Sequence, residues 1–151
     1  MPLISDLALA APDSGGRPAG FWVRFLGSCF DGLVLWAVTL LVAALGALFA
    51  GERLSPIQIA AAGVVFNLFF NSAYFITLHG RTGQTVGKLI LGVQVVSVEG
   101  RPISYGVASV RWLGYLLSSM TLLIGYLLVA FRRDKRALHD LVAGTRVVYV
   151  R

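Results

Sequence analysis

The chain has 151 residues, of which 13 are Lys or Arg and 7 are Asp or Glu, so its formal net charge is +6. Apolar residues make up 57% of it and charged residues only 13%, whereas soluble domains carry about 25% charged residues. A single small core cannot bury that much apolar surface, and a lone cysteine, Cys29, excludes a disulfide scaffold. The composition also excludes disorder over most of the chain and indicates one domain in or on a membrane.

The first 19 residues hold a short apolar run that Asp6 interrupts, with no basic segment before it. A cleaved signal peptide is therefore not expected. The polar, Gly-containing remainder predicts a flexible lead-in over residues 1–19, followed by a single membrane domain over residues 20–151.

Two uncharged runs predict a transmembrane helical hairpin. Residues 32–51 are about as long as a helix must be to cross ~30 Å of hydrocarbon. The helix is expected to begin earlier, near Phe21, with Arg24 at its mouth and Asp31 inside it. A polar turn over residues 52–56 precedes the second uncharged run, residues 57–78, and Pro56 suits the first turn of that helix.

The third apolar stretch, residues 105–131, either spans the membrane or re-enters it as two half-helices. Lys and Arg collect on the cytoplasmic side of membrane proteins. With a third span, six of the 13 basic residues lie on one side and seven on the other, which is no bias. If the stretch turns back, 12 lie on one side and only Arg53 lies opposite. The count favours the re-entrant arrangement with both termini cytoplasmic, and three spans remain the alternative.

Residues 91–98 and 145–150 are rich in β-branched side chains with partial alternation, which is typical of short strands. A single short strand is unstable alone, so residues 94–98 and 146–150 are predicted to pair in a small cytoplasmic sheet. The predicted fold class is therefore all-α integral membrane, with a helical hairpin, a third apolar helical segment and a small cytoplasmic β element.

Arg24, Ser28 and Asp31 fall on nearly the same face of the first helix. A carboxylate inside hydrocarbon costs at least about 2.5–3.5 kcal/mol, so it is normally paired or faces a cavity. Asp31 is interpreted either as a proton or cation site with a pKa raised by desolvation, or as a structural anchor bonded to a neighbouring helix.

A polar stripe on the second span is the natural partner of that face. Small and amide residues let transmembrane helices approach and hydrogen-bond, so the stripe is interpreted as packing contact or, alternatively, as the lining of a solute pathway. The residues of this stripe are Gly63, Asn67, Asn71 and Tyr74.

A basic cluster directly follows the third apolar stretch, and such clusters bind anionic lipid headgroups. Its residues, with Arg136 adjoining them, are Arg132, Arg133 and Lys135. A nucleic-acid partner is not expected of a chain that lies in a bilayer. The segment 80–88 lacks phosphate-loop spacing, and no metal-ligand set or catalytic constellation stands out. No cofactor, metal site or enzymatic activity is therefore expected.

Arg24, Asp31 and the Asp140 of RALHDLVAGTRVV resemble the three signature residues of the RDD family of membrane proteins. The segment GQTVGKLILGVQVV, residues 83–96, is similar to the family's T-P-G-K…L-G-L-x-V-V pattern, except that Val86 stands where the family usually has Pro. The resemblance covers about residues 20–150. It implies a small multi-pass membrane domain loosely associated with transport of unknown ligands.

The three signature residues are predicted to form one charge cluster near the cytoplasmic surface, because bidentate guanidinium–carboxylate bonds hold buried acids well. Arg24 and Asp140 are expected to be the more direct pair. Asp31 is expected to rely on another Arg, Arg111 or Arg136, or on the amides of the second span. The neighbours with predicted supporting roles are Arg111, Arg136 and His139.

Two functions fit these patterns. The first is a transport-associated protein of the bacterial cytoplasmic membrane, with cation/proton exchange at Asp31; two or three spans cannot enclose a pathway, so it would act as a homo-oligomer or with a partner subunit. The alternative is a non-transporting accessory or scaffold protein, in which the charged residues hold helices and tail together.

Overall fold

The computed structural model describes residues 16–50, 54–120 and 124–150. The fold is mostly helical with one small sheet, as the sequence predicts. In chain order, the elements are α1 (Phe21–Ala50), α2 (Pro56–Thr82), α3 (Val86–Ile90), β1 (Val93–Ser97), α4 (Tyr105–Met120), α5 (Ile124–Phe131), α6 (Leu138–Val142) and β2 (Thr145–Tyr149).

Helices α1 and α2 are each long and apolar enough to cross a membrane. Almost none of their apolar length is buried within the protein, so they are not the core helices of a soluble fold. Large side chains such as Trp36 and Phe69 are more than 60% exposed, and a bilayer is the environment that suits them. The predicted hairpin is therefore confirmed as two candidate spans.

The start and end of α2 follow local rules. The backbone N–H of Ser55 donates to Gln58 Oε1 at 2.9 Å, and the Gln58 N–H donates back to Ser55 Oγ at 3.4 Å. This capping box satisfies backbone donors that the helix leaves unpaired, and Pro56 occupies the first turn. The helix ends at Thr82, and its C-cap residue, Gly83, has a left-handed φ of 69°. Residues 52 and 53 of the predicted turn lie outside the described residues.

The predicted pairing of the two short strands is confirmed. Strands β1 and β2 are antiparallel, with Gln94 opposite Val148 and Val96 opposite Arg146, and both begin and end one residue earlier than expected. Residues 17–19 add a further bonded segment: the Ala19 N–H donates to the Val147 carbonyl at 2.9 Å. These three residues thus belong to the fold, whereas the sequence predicts a flexible lead-in up to residue 19.

The third apolar stretch forms two helices, α4 and α5, on either side of residues 121–123, which lie outside the described residues. Helix α4 packs against α2 and α6, and α5 also contacts α6. The buried apolar core lies where the sheet meets the helix ends rather than between the spans. Its residues are Ala19, Val93, Val95, Ile103, Ala108 and Val147.

Candidate functional site

The Asp140 carboxylate is shared by two guanidinium groups. Arg24 Nη1 binds Oδ2, and Arg111 Nη1 binds Oδ1 at 2.5 Å. The side chains of Asp140 and Arg111 are fully buried, and that of Arg24 is 11% exposed. The Ala137 N–H also donates to Oδ2 at 3.1 Å. The predicted contact between Arg24 and Asp140 is thus present, and Arg111 is a second partner of the same acid.

This cluster joins elements from three parts of the chain, because Arg24 lies in the first turn of α1, Arg111 lies in α4 and Asp140 lies in α6. Further hydrogen bonds of the two guanidinium groups reach the backbone and the sheet. Arg24 Nη2 donates to the Lys135 carbonyl at 2.6 Å, and Arg111 Nη1 donates to the Thr145 hydroxyl of β2. The cluster therefore fastens the layer formed by α6 and the sheet to the mouth of the first span.

Burial and charge act in opposite directions on Asp140. Burial alone raises the pKa of its carboxyl, but the charges of Arg111 and Arg24 hold that pKa well below its usual range. Burial and the same two guanidinium groups hold the pKa of His139 well below its usual value, although its Nε2 lies 3.7 Å from Asp140 Oδ1. Burial and the guanidinium charges thus outweigh the opposing charge of Asp140 and favour the uncharged imidazole.

Asp31 forms a separate site with different partners. Its Oδ1 accepts hydrogen bonds from the Tyr74 hydroxyl and the Gly87 N–H, both at 2.8 Å, and its Oδ2 accepts one from the Thr85 hydroxyl at 2.6 Å. The prediction that Asp31 relies on a second arginine or on the amides of α2 is therefore wrong, as is the prediction of one cluster containing all three signature residues. The reason is that α3 folds back against α1 and brings a backbone donor and a hydroxyl to the carboxylate.

Close backbone contact between α1 and α3 makes this site possible. A Cβ atom on Gly87 would lie 2.0 Å from the Gly27 carbonyl oxygen, so only glycine fits. The neighbouring Val86 N–H donates to the Tyr74 hydroxyl at 3.2 Å, which orients that hydroxyl toward Asp31. The proline usual at this position in the family pattern has no N–H for this bond.

One amide of the α2 stripe bonds across to α1, and a second amide bonds to the first. Asn67 Nδ2 donates to the Thr39 hydroxyl of α1 at 3.0 Å, and Asn71 Nδ2 donates to Asn67 Oδ1 at 2.9 Å. Ser28 Oγ donates back to the Arg24 carbonyl at 3.0 Å, within its own helix. These contacts agree with the packing interpretation of the stripe.

The basic segment divides into two parts. Arg136 turns inward and donates to the carbonyl oxygens of Thr145 at 3.1 Å and Asp140 at 3.2 Å. Arg132 and Arg133 are exposed, and Arg132 forms an exposed pair with Asp134 at 2.8 Å. Only the exposed part is placed as a headgroup-binding surface would require.

A cavity of about 610 Å³ lies between α1, α2 and α4. Three basic side chains line it, Arg24, Lys88 and Arg111, whereas the carboxylates of Asp31 and Asp140 do not. The polar side chains from the spans that line it are Ser28, Asn67 and Asn71. In the described ranges no group of three His, Cys, Asp or Glu side chains is placed to hold a metal ion.

The model of the RDD family matches residues 18–144, a range that contains both carboxylate sites. The chain belongs to the RDD family. The uncharacterised membrane protein YteJ of Bacillus subtilis is 34% identical over 134 residues, which cover 87% of this chain and 80% of the relative. The uncharacterised protein YxaI of the same organism is 29% identical, over 88% of this chain and 98% of the relative. No solved structure matches the chain.

This RDD family member is a membrane protein, as its family and its two apolar helices indicate. Its site contains residues that the sequence interpretation does not identify, namely Thr85, Gly87 and Lys88, all in the segment 80–88, which lacks phosphate-loop spacing. The available signal was the glycine-rich composition of residues 80–88, because glycines permit a close backbone approach. Arg111 was recognised only as a supporting residue, yet it is as close to Asp140 as Arg24 is.

Proposed function

We propose that this RDD family member is a non-transporting accessory or scaffold protein of the membrane, in which the signature residues fasten a surface layer to a helical hairpin. The observation that supports this proposal most is the state of the two acids. Asp31 is 1% exposed and accepts three hydrogen bonds, and Asp140 is fully buried between two arginines. Neither carboxylate lines the cavity.

Cation/proton exchange at Asp31 is the alternative, and the geometry supports it less. A carboxylate that exchanges a proton for a cation must be reached by water during the cycle, and internal donors already occupy both oxygens of Asp31. The polar cavity lining of Ser28, Asn67 and Asn71 favours some passage of solute. Two candidate spans enclose no pathway by themselves, so an exchanger would need further copies of the chain or a partner subunit.

Asp31→Asn separates the two functions. In vesicles holding a pH-sensitive dye, a pulse of Na⁺ or K⁺ is expected to produce no proton flux with either the native protein or the variant. The variant is expected to stay folded, because the amide oxygen still accepts from Tyr74 and Gly87. A known cation/proton exchanger in identical vesicles is the positive control. Cation-driven flux that the native protein shows and the variant lacks would establish exchange and refute the accessory function.

We further propose that both termini face the cytoplasm of a bacterial cell and that Arg132, Arg133 and Lys135 contact anionic headgroups. The charge count supports this arrangement, because with both termini cytoplasmic 12 of the 13 basic residues lie on the cytoplasmic side of the membrane. In a Cys29→Ser background, single cysteines at the exposed positions Arg101 and Arg133 are expected to label from the cytoplasm, and one at Leu54 only from outside. Labelling of the first two from opposite sides would require a third span.

A further inference from the structure

The cavity between α1, α2 and α4 carries an excess of positive charge. Arg24, Lys88 and Arg111 line it, and the acids nearest to them are Asp31 and Asp140. Three cations against two carboxylates leave one net positive charge in this buried group. Ionised groups are rarely buried without compensation, so the arrangement favours an anion in the cavity.

Lys88 is the cation that lacks a carboxylate partner. Lys88 is only 7% exposed. Its ammonium donates one long hydrogen bond, of 3.3 Å, to the Thr85 hydroxyl. That hydroxyl already donates its own proton to Asp31. An ammonium has three donors, and among the described residues no acid lies within 4 Å of this one.

Arg111 adds a second unused donor at the same cavity. Its side chain is fully buried, and its Nε–H has no hydrogen-bond partner in the part of the chain that the structure describes. Buried polar hydrogens are normally bonded. Lys88 therefore retains donors for an acceptor group that the described part of the protein does not supply, and the fully buried Arg111 adds a second positive charge at the same cavity.

The rest of the cavity wall is largely apolar. Its volume of about 610 Å³ falls within the range of about 300–1,000 Å³ that is typical of ligand pockets. A free phosphate would leave this wall empty, whereas an acyl chain would cover it. The apolar side chains of the wall include Phe25, Leu68, Phe75, Leu116 and Leu127.

We propose that this cavity binds one anionic phospholipid, with the phosphate against Lys88, the charge of the buried Arg111 nearby, and an acyl chain along the apolar wall. The site differs from the exposed basic segment, which meets headgroups at the surface. Phe21 and Arg24, in the first turn of α1, line the cavity, and the topology proposed above puts this end of α1 at the headgroups of the adjoining leaflet. The lipid thereby supplies the negative charge that the buried group lacks.

Trp112 provides a probe, because it lines the cavity. Replacing Trp22 and Trp36 by Phe leaves it as the only tryptophan of the chain. In phosphatidylcholine vesicles, phosphatidylglycerol with brominated chains is expected to quench Trp112 at much lower mole fractions than brominated phosphatidylcholine. Lys88→Gln is expected to raise the half-quenching mole fraction about fivefold, the contribution of one basic residue to attraction of anionic lipid.

Two further variants keep the test decisive. Arg133→Gln removes one exposed charge from the surface segment and is expected to leave the preference of Trp112 for phosphatidylglycerol nearly intact. Ser28→Phe fills the cavity without altering its charges and is expected to abolish quenching selectivity even if Lys88→Gln fails to fold. Equal quenching by the two lipids, an unchanged preference in folded Lys88→Gln, or loss of the preference on adding inorganic phosphate would overturn the proposal.

Discussion

Replacing Asp140 with Ala is expected to lower the free energy of unfolding by about 3–5 kcal/mol, the usual loss when one partner of a buried ion pair is removed. The physical reason is that Arg24 and Arg111 would remain beside each other without the carboxylate that both of them bind. The measurement is equilibrium unfolding of the purified protein in detergent micelles. The loss should be among the largest for any single substitution in the chain.

Asp134→Ala is the matched control, because Asp134 pairs with Arg132 on the exposed surface. Exposed pairs contribute about 0–1 kcal/mol, so this variant should unfold almost like the native protein. Arg24→Ala combined with Asp140→Ala should cost less than the sum of the two single losses, since they remove the same contact. Additive losses would show that Arg24 and Asp140 do not interact, and the joining role of the cluster would be abandoned.

Gly87→Ala is expected to destabilise the protein by about 1–3 kcal/mol, the usual cost of overpacking. The added methyl group would lie 2.0 Å from the Gly27 carbonyl oxygen, and backbone atoms cannot move aside as a flexible side chain does. Helix α3 would have to shift away from α1, which would also lengthen the bond from the Gly87 N–H to Asp31. Equilibrium unfolding in the same micelles measures this loss.

Gly27, which lies opposite Gly87, provides the matched control for this substitution. A Cβ atom on Gly27 would meet its nearest neighbour, Leu91 Cδ1, at an ordinary 3.6 Å, and one on Gly32 would meet nothing within 4 Å. Gly27→Ala and Gly32→Ala should therefore be tolerated, and alanine in a helix interior is favoured over glycine by about 0.5–1 kcal/mol. Equal stability of Gly87→Ala and Gly27→Ala would contradict the close backbone approach of α1 and α3.

The parts of the fold that the sequence predicts are those with a local or periodic cause. Long uncharged runs indicate the two spans, and β-branched alternation indicates the two strands, whose observed bounds differ by one residue. Such features depend on composition and spacing within a short window. The contact between Arg24 and Asp140, which lie 116 positions apart, is predicted instead from the opposite charges of two signature residues that are both expected near the cytoplasmic surface.

The partners of Asp31 have no such local cause. They come from residues more than 40 positions along the chain. They reach the carboxylate because Gly87, which has no Cβ atom, lets the backbones of α3 and α1 touch. One of the donors is a backbone N–H, which carries no side-chain signature. The ion pair between Arg111 and Asp140 likewise has no local cause in the sequence. It depends on tertiary structure, because it forms where α4 packs against α6.

The sharing of Asp140 between two arginines has a consequence for biosynthesis. Synthesis proceeds from the N-terminus, so Arg24 and Arg111 reach the membrane before the acid that neutralises them has been made. The same late segment supplies β2, which bonds to residues 17–19 as well as to β1. In assembly, a segment made after both candidate spans thus secures residues made before them.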